Sequence, residues 1–204
     1  AGSEWRGRSV VVFGTGTSAH DICQELEAAG ARATMVQRSP TMVVNVEPAQ
    51  IYDRTYLGDG PPIEVRDIIN SGVPLPVMKM AHKIVTAEVA ALDAPLHTRL
   101  EKAGFRLEFG EDGTGWPLKF RTRGGGYYFN VGCSELIADG KVGLIQFADI
   151  ESFTAGGLKL KDGSTLAADL FVLATGYKGL DHLLAKLFGT EVAARVGRIW
   201  GFDD

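Results

Sequence analysis

Cysteine is scarce in this chain of 204 residues: Cys23 and Cys133 are the only two. They form no CxxC pair, and the four histidines (His20, His82, His97, His182) are scattered. Zinc ligation, a disulfide framework and dithiol redox chemistry are thereby excluded as design principles. No apolar run approaches the roughly 20 residues of a membrane-spanning helix. The opening stretch "AGSEWRGRS" carries no apolar core of the signal-peptide kind. Positive charge is not in excess: 21 Lys and Arg face 25 Asp and Glu, for a net charge of -4. That balance gives no electrostatic basis for binding nucleic acid or an anionic membrane. "RTRGGG" at 121–126 is the single tight basic cluster. No internal repeat or low-complexity tract is visible. A cytoplasmic protein is expected, with no nucleic-acid and no membrane partner, and nothing in the sequence sets an oligomeric state.

What is present is an α/β pattern. "SVVVF" at 9–13 is a short apolar, β-branched run ending at a glycine, as a buried parallel strand reads. "TSAHDICQELEAAG" then places Ala19, Ile22, Cys23, Leu26 and Ala29 at helical spacing, with Gly30 as the stop. "ARATMVQR" resumes a strand, completing a βαβ unit. A proline-punctuated region follows, in which "IEVRDIINSG" and "VMKMAHKIVTAEVAALDAPLHTRLEKAG" read as amphipathic helices. Met78, Ala81, Ile84, Val85, Val89 and Leu92 form an apolar stripe that is expected to be core. Beyond residue 105 the chain reads as strand-rich and glycine-rich. "LKLKDGSTLAA" predicts a hairpin leading into "DLFVLATG", a second apolar strand. The predicted fold is a Rossmann-like, three-layer α/β domain over residues 8–178, a parallel sheet with a β-meander or hairpin. Its helical insertion is expected at about 45–104.

The loop between the first strand and helix holds the chemistry. Gly14, Gly16 and Ala19 fill a GxGxxA pattern with Thr15, Thr17 and Ser18 between them. Gly14 allows a tight turn, Gly16 lets the backbone approach a pyrophosphate, and a small residue at 19 lets the helix pack on the strand. The helix N-terminus near Ser18 offers free N–H groups and a positive dipole end to phosphates. Such a pattern acquires weight from its strand–loop–helix–strand setting. An NAD site carries Asp or Glu after the second strand to bind ribose hydroxyls. This chain has Gln37, Arg38 and Ser39 instead. A carboxylate would repel a 2′-phosphate, whereas a guanidinium donates charge-assisted hydrogen bonds to it. Arg38 is therefore the expected 2′-phosphate clamp, with Ser39 or Thr41 assisting, and NADP(H) the expected coenzyme.

"GTGTSAHDICQEL…VQRSPT" resembles the second, NADPH-binding Rossmann motif of the flavin-containing monooxygenases and their Baeyer–Villiger relatives. "FVLATGY" at 171–177 resembles their ATGY/ATGF signature, and the separation of about 160 residues is similar too. The resemblance implies an NADP(H)-binding domain of a flavin-dependent monooxygenase. It would present nicotinamide hydride to FAD for O2 activation and oxygenation of a small-molecule substrate. It also implies that Ala174, Thr175 and Gly176 lie beside the cofactor, and that Arg121 falls where relatives place a coenzyme-touching base. A solvated basic loop is the competing account of Arg121 and Arg123. The family's earlier FAD loop and its FxGxxxHxxx(Y/F) fingerprint are not in this sequence. Residues 179–204 are accordingly expected to begin the return to an FAD-binding domain, the missing partner, and these residues alone to bind coenzyme without oxidising a substrate.

No residue would act as a catalytic group in that reading. His20 is expected on the helix surface, Cys23 on its buried face, and Tyr177 in a structural role. Two further functions stay open: a flavoprotein reductase without oxygenase activity, and a non-catalytic NADP-sensing module. A short-chain dehydrogenase is disfavoured, because none of Tyr52, Tyr56, Tyr127, Tyr128 or Tyr177 has a lysine four residues on.

Overall fold

The computed structural model describes residues 2–201. After a short 3-10 helix at Gly2–Trp5 come β1 (Ser9–Phe13), α1 (Thr17–Ala28) and β2 (Arg32–Gln37). There follow β3 (Met42–Asn45) and the helices α2 (Val46–Ala49), α3 (Ile63–Ser71), α4 (Leu75–Leu92), α5 (Ala94–Lys102) and α6 (Gly115–Arg123). After β4 (Tyr127–Asn130), α7 (Cys133–Ala138) and β5 (Gly143–Gln146) come β6 (Ile150–Thr154), β7 (Gly157–Leu160), β8 (Thr165–Ala167) and β9 (Leu170–Leu173). Helices α8 (Leu180–Phe188) and α9 (Thr190–Val196) pack on each other at the end.

Strands β5, β2, β1 and β9 form one sheet in that order, every pairing parallel. Successive side chains of a strand face opposite sides, and β1 is covered on both. Val10 and Val12 join Ala19, Cys23, Leu100 and Ile137 in the helical layer. Val11 and Phe13 join Val36 and Leu158 on the other side. Leu158 belongs to the antiparallel sheet β6-β7-β8, so the expected three layers are present: helices, parallel sheet, small antiparallel sheet. Burial on both faces is why "SVVVF" is continuously apolar rather than alternating. The expected hairpin is β7–β8, its turn closed by Asp162 Oδ1, which accepts from the Ser164 N–H at 2.9 Å and hydroxyl at 2.6 Å. Leu173, at the outer edge of β9, is 74% exposed.

The region between β2 and β5 departs from expectation in four respects. β3 and β4 pair in parallel, from Met42 against Tyr127 to Asn45 against Asn130, as a separate two-stranded ribbon. Helices α6 and α7 occupy part of the stretch read as strand-rich. The long helix predicted over 77–104 breaks at Asp93, where Pro95 lacks the backbone donor that would continue the helix. The buried Asp93 carboxylate accepts from the Asn45 N–H at 3.0 Å and the Asn45 amide at 2.6 Å, tying the break to the ribbon. The apolar stripe on α4 is core only in part: Val89 is buried and Val85 half-buried, but Ile84 is 70% and Leu92 56% exposed. The helix lies on short turns and on α2, α5 and α6, not on a broad sheet, so a narrow strip is covered. Of the stretch 179–204, residues 202–204 lie outside the described residues.

Candidate functional site

The loop from Gly14 to Ala19 leaves the carboxyl end of β1, between neighbours β2 and β9, the edge at which open α/β sheets bind ligands. Gly14 has a φ of +128° and donates its N–H to the Val36 carbonyl at 3.1 Å. A β-carbon there would stand 2.3 Å from the Ala174 carbonyl oxygen. Ala174 is itself fixed by donating to the Phe13 carbonyl at 2.9 Å, so the Ala174–Gly176 segment borders the glycine loop. Ala19 is fully buried, and its methyl fills the remaining space beneath Gly14.

Gly16 differs in kind. Its φ of −85° is ordinary, and no atom of the described residues lies within 4 Å of an added β-carbon. It is the N-cap of α1, where no side chain caps the helix. The amides of Thr17, Ser18 and Ala19 have no acceptor one turn back, and Thr17 and Ser18 are exposed. The loop therefore has an open floor at Gly16 and free donors at a positive helix end, which suits an anionic group. Thr15 and Thr41 join their hydroxyls at 2.6 Å, linking this loop to the start of the ribbon.

At the end of β2 the four polar candidates separate. Gln37 is fully buried, its amide donating to the Arg106 carbonyl at 2.9 Å and accepting from the Arg106 N–H at 2.8 Å and from Gln146 at 3.0 Å. It secures the segment that crosses the ends of β2 and β5, so its side chain is committed to the fold. Thr41 is buried against Thr15, with Ser39 O at 3.4 Å. Arg38 and Ser39 are exposed. Among the described residues no carboxylate pairs with Arg38. Sequence reasoning missed Arg106, whose Nη2 donates to the Arg38 carbonyl at 2.5 Å. It lies 68 residues away in the chain, and no local pattern marks it. Two guanidinium groups thus stand at one strand end.

Arg121 lies in the last turn of α6, its guanidinium against Met78 Sδ of α4. The basic stretch is therefore a helix end rather than a loop, and Lys119 beside it is buried and paired with Glu108. The hydrogen bond of Arg121 among the described residues is to Met78 and not to the glycine loop. Thr175 and Gly176 are exposed, and Gly176 has a φ of +81°. Tyr177 is fully exposed rather than packed, which corrects its structural reading. His20 also needs correction: it is completely buried, not on the helix surface. Its ring stacks on Tyr128 of β4, centroids 3.7 Å apart and planes 10° apart. Burial lowers its pKa to about 4. Cys23 and Cys133 are both buried, and no group of His, Cys, Asp and Glu among the described residues is arranged for a metal. No helix among them is long and apolar enough to cross a membrane.

No protein-family model matches the chain. Curated proteins do. A probable FAD-binding monooxygenase, AlmA of Acinetobacter sp, is 25% identical over 177 residues, covering 85% of this chain and 34% of its own length. The FAD-containing monooxygenase EthA of Mycolicibacterium smegmatis is 26% identical over 204 residues, covering 96% of this chain and 38% of its own. The indole-3-pyruvate monooxygenase YUCCA8 of Oryza sativa subsp. indica is 25% identical, with 87% and 37% covered. Among solved structures, cyclohexanone monooxygenase from Rhodococcus sp. Phi1 bound to NADP+ superposes with a TM-score of 0.56 at 16% identity, over 89% of this chain and 41% of that one. A complex of OTEMO with FAD and NADP gives 0.52 at 15% identity, over 85% and 39%. The likeness to these structures is one of fold. The chain is a distant homologue of FAD-containing monooxygenases and spans between a third and two fifths of the length of the curated relatives it matches.

Proposed function

We propose that this chain is the NADP(H)-binding part of a flavin-dependent monooxygenase. The observation that carries the reading is the uncapped start of α1, open above Gly16, with the exposed, carboxylate-free Arg38 at the neighbouring strand end. The residues present fit a dinucleotide with a 2′-phosphate. The exposed Thr17 and Ser18 amides and the dipole of α1 receive the pyrophosphate. Gly16 supplies the room for it, and Arg38 clamps the 2′-phosphate through charge-assisted hydrogen bonds, with Ser39 beside it. Ala174–Gly176, anchored on the same loop, is assigned to the nicotinamide half. When bound, NADPH would supply the hydride that a flavin-dependent monooxygenase needs for activation of O2 and oxygenation of a small-molecule substrate. The relatives named above support the flavin part, and the loop supports the coenzyme part.

The test is a comparison of coenzymes. Isothermal titration of the purified chain is expected to give tighter binding of NADP+ than of NAD+, with a larger rise in Tm. Equal affinity for the two would remove Arg38 from the clamp, and no binding of either would end the reading. The 204-residue chain is also expected to purify colourless and without NADPH oxidase activity. Stoichiometric yellow flavin would contradict the assignment of FAD to residues outside it.

A further inference from the structure

The buried histidine under the glycine loop has a geometry that the coenzyme reading leaves unused. The Gly16 carbonyl receives two hydrogen bonds from the same residue: the His20 backbone N–H at 3.1 Å and the ring Nδ1 at 3.1 Å. A carbonyl only accepts, so Nδ1 carries the proton, and in the neutral ring Nε2 is then unprotonated. Nε2 is buried without a partner among the described residues, which suits a bare lone pair better than a charged N–H. In a trans peptide the C=O and the N–H point in opposite directions. Fixing the Gly16 carbonyl inward from two donors therefore aims the Thr17 N–H outward from the helix, at a residue that is itself exposed.

We infer that His20 is a positioning residue for dinucleotide binding: its Nδ1–H holds the Gly16–Thr17 peptide so that the Thr17 amide faces the pyrophosphate. The ring cannot tilt away, because Tyr128 stacks on it and Phe105 closes its side at 6.1 Å between centroids. Tyr128 is itself fixed, its hydroxyl accepting from the Val131 N–H at 3.2 Å. The β3–β4 ribbon thus buttresses the phosphate loop twice, through His20 and through the Thr15–Thr41 hydroxyl pair. The inference rests on the dinucleotide reading of the loop, but makes a separate demand on it. The pyrophosphate is common to both coenzymes, so His20 serves NADP+ and NAD+ alike, unlike Arg38.

Two variants separate the roles of the ring. His20→Phe keeps a planar ring on Tyr128 and loses the donor, whereas His20→Asn restores an N–H at the position of Nδ1. Titration of the full chain is expected to show His20→Phe weakening NADP+ and NAD+ by the same factor, roughly threefold to tenfold for one lost hydrogen bond. His20→Asn is expected to stay near wild-type affinity despite its smaller side chain and lower Tm. Wild-type affinity in His20→Phe, or a loss confined to NADP+, overturns the positioning role and leaves the coenzyme site standing. A wild-type chain that binds neither coenzyme overturns both. Should the phenylalanine variant not fold, nitrogen-15 imidazole spectra of the wild-type protein decide: a proton on Nδ1 before and after NADP+ addition supports the role, and a shift to the Nε2–H tautomer overturns it.

Discussion

The carbonyl oxygen of Ala174 lies 2.3 Å from the point where a β-carbon on Gly14 would stand. The first glycine of the loop is thus required by the close approach of the backbone that follows the parallel neighbour β9, whereas the second borders open space. The two are separable by mutation. Gly14→Ala places a methyl group on backbone at a φ of +128°, with an expected loss on the order of 3 kcal/mol in urea unfolding. Gly16→Ala meets no neighbour at an ordinary φ, so stability is expected to hold within about 1 kcal/mol. Its coenzyme affinity is nevertheless expected to fall, because the methyl enters the space given to the pyrophosphate. A Gly16→Ala protein that binds NADP+ normally would place the phosphates elsewhere.

Arg38→Ala is expected to weaken NADP+ at least tenfold and NAD+ less than twofold, measured by titration at one salt concentration. A hydrogen bond to a charged group contributes about 1.5 to 3 kcal/mol, which corresponds to that range and beyond. Arg106→Ala is expected to act in the same direction and more weakly, since its Nη2 holds the Arg38 carbonyl. Equal losses of both coenzymes in Arg38→Ala would make that side chain a support of the fold.

The layers of the fold were legible from residues 9–37 because their physics is local. Burial on both faces made β1 uniformly apolar, and Gly30, with a φ of +81°, ended the helix where its lack of a side chain predicted. The β3–β4 ribbon was illegible because Met42 meets Tyr127 across a long span of chain, and four-residue strands carry no period of their own. That one miss produced another. His20 reads as a surface residue when nothing is expected to cover that side of α1, and the ribbon's Tyr128 is what covers it. Of the candidate site, the placement of Gly14 to Ala19 between β1 and the first turn of α1 followed from spacing. Arg106 and the buried role of Gln37 did not, because both depend on residues 104–107 crossing the ends of β2 and β5.

Stability is expected to depend on pH through His20. Its folded pKa of about 4 lies below the ordinary 6.5, so on acidification the unfolded chain takes up the proton first. The contribution of the neutral ring is therefore complete above about pH 6.5 and is withdrawn as pH falls toward 4. The shift corresponds to about 3 kcal/mol across that window. Unfolding free energies of wild type and His20→Phe, measured from pH 4 to 7, are expected to diverge as pH rises. Parallel curves would mean that the ring is hydrated in the folded state.

The two thiols are expected to be inert in the folded protein. Burial pushes Cys23 well above the ordinary thiol range, and burial pushes Cys133 up to about 12, aided by the Asp21 and Glu135 carboxylates. The thiolate is the reactive species, so neither is available near neutral pH. A chromogenic disulfide reagent at pH 8 is expected to label neither residue in the native chain and both in urea. Because Cys23 packs in the helical layer against β1, the labelling rate in dilute denaturant reports opening of the layer that carries the phosphate loop. NADP+ is therefore expected to slow labelling of Cys23, by the factor with which it stabilises the folded chain. Rapid labelling of the native protein, unaffected by coenzyme, would mean that α1 opens independently of the site it begins.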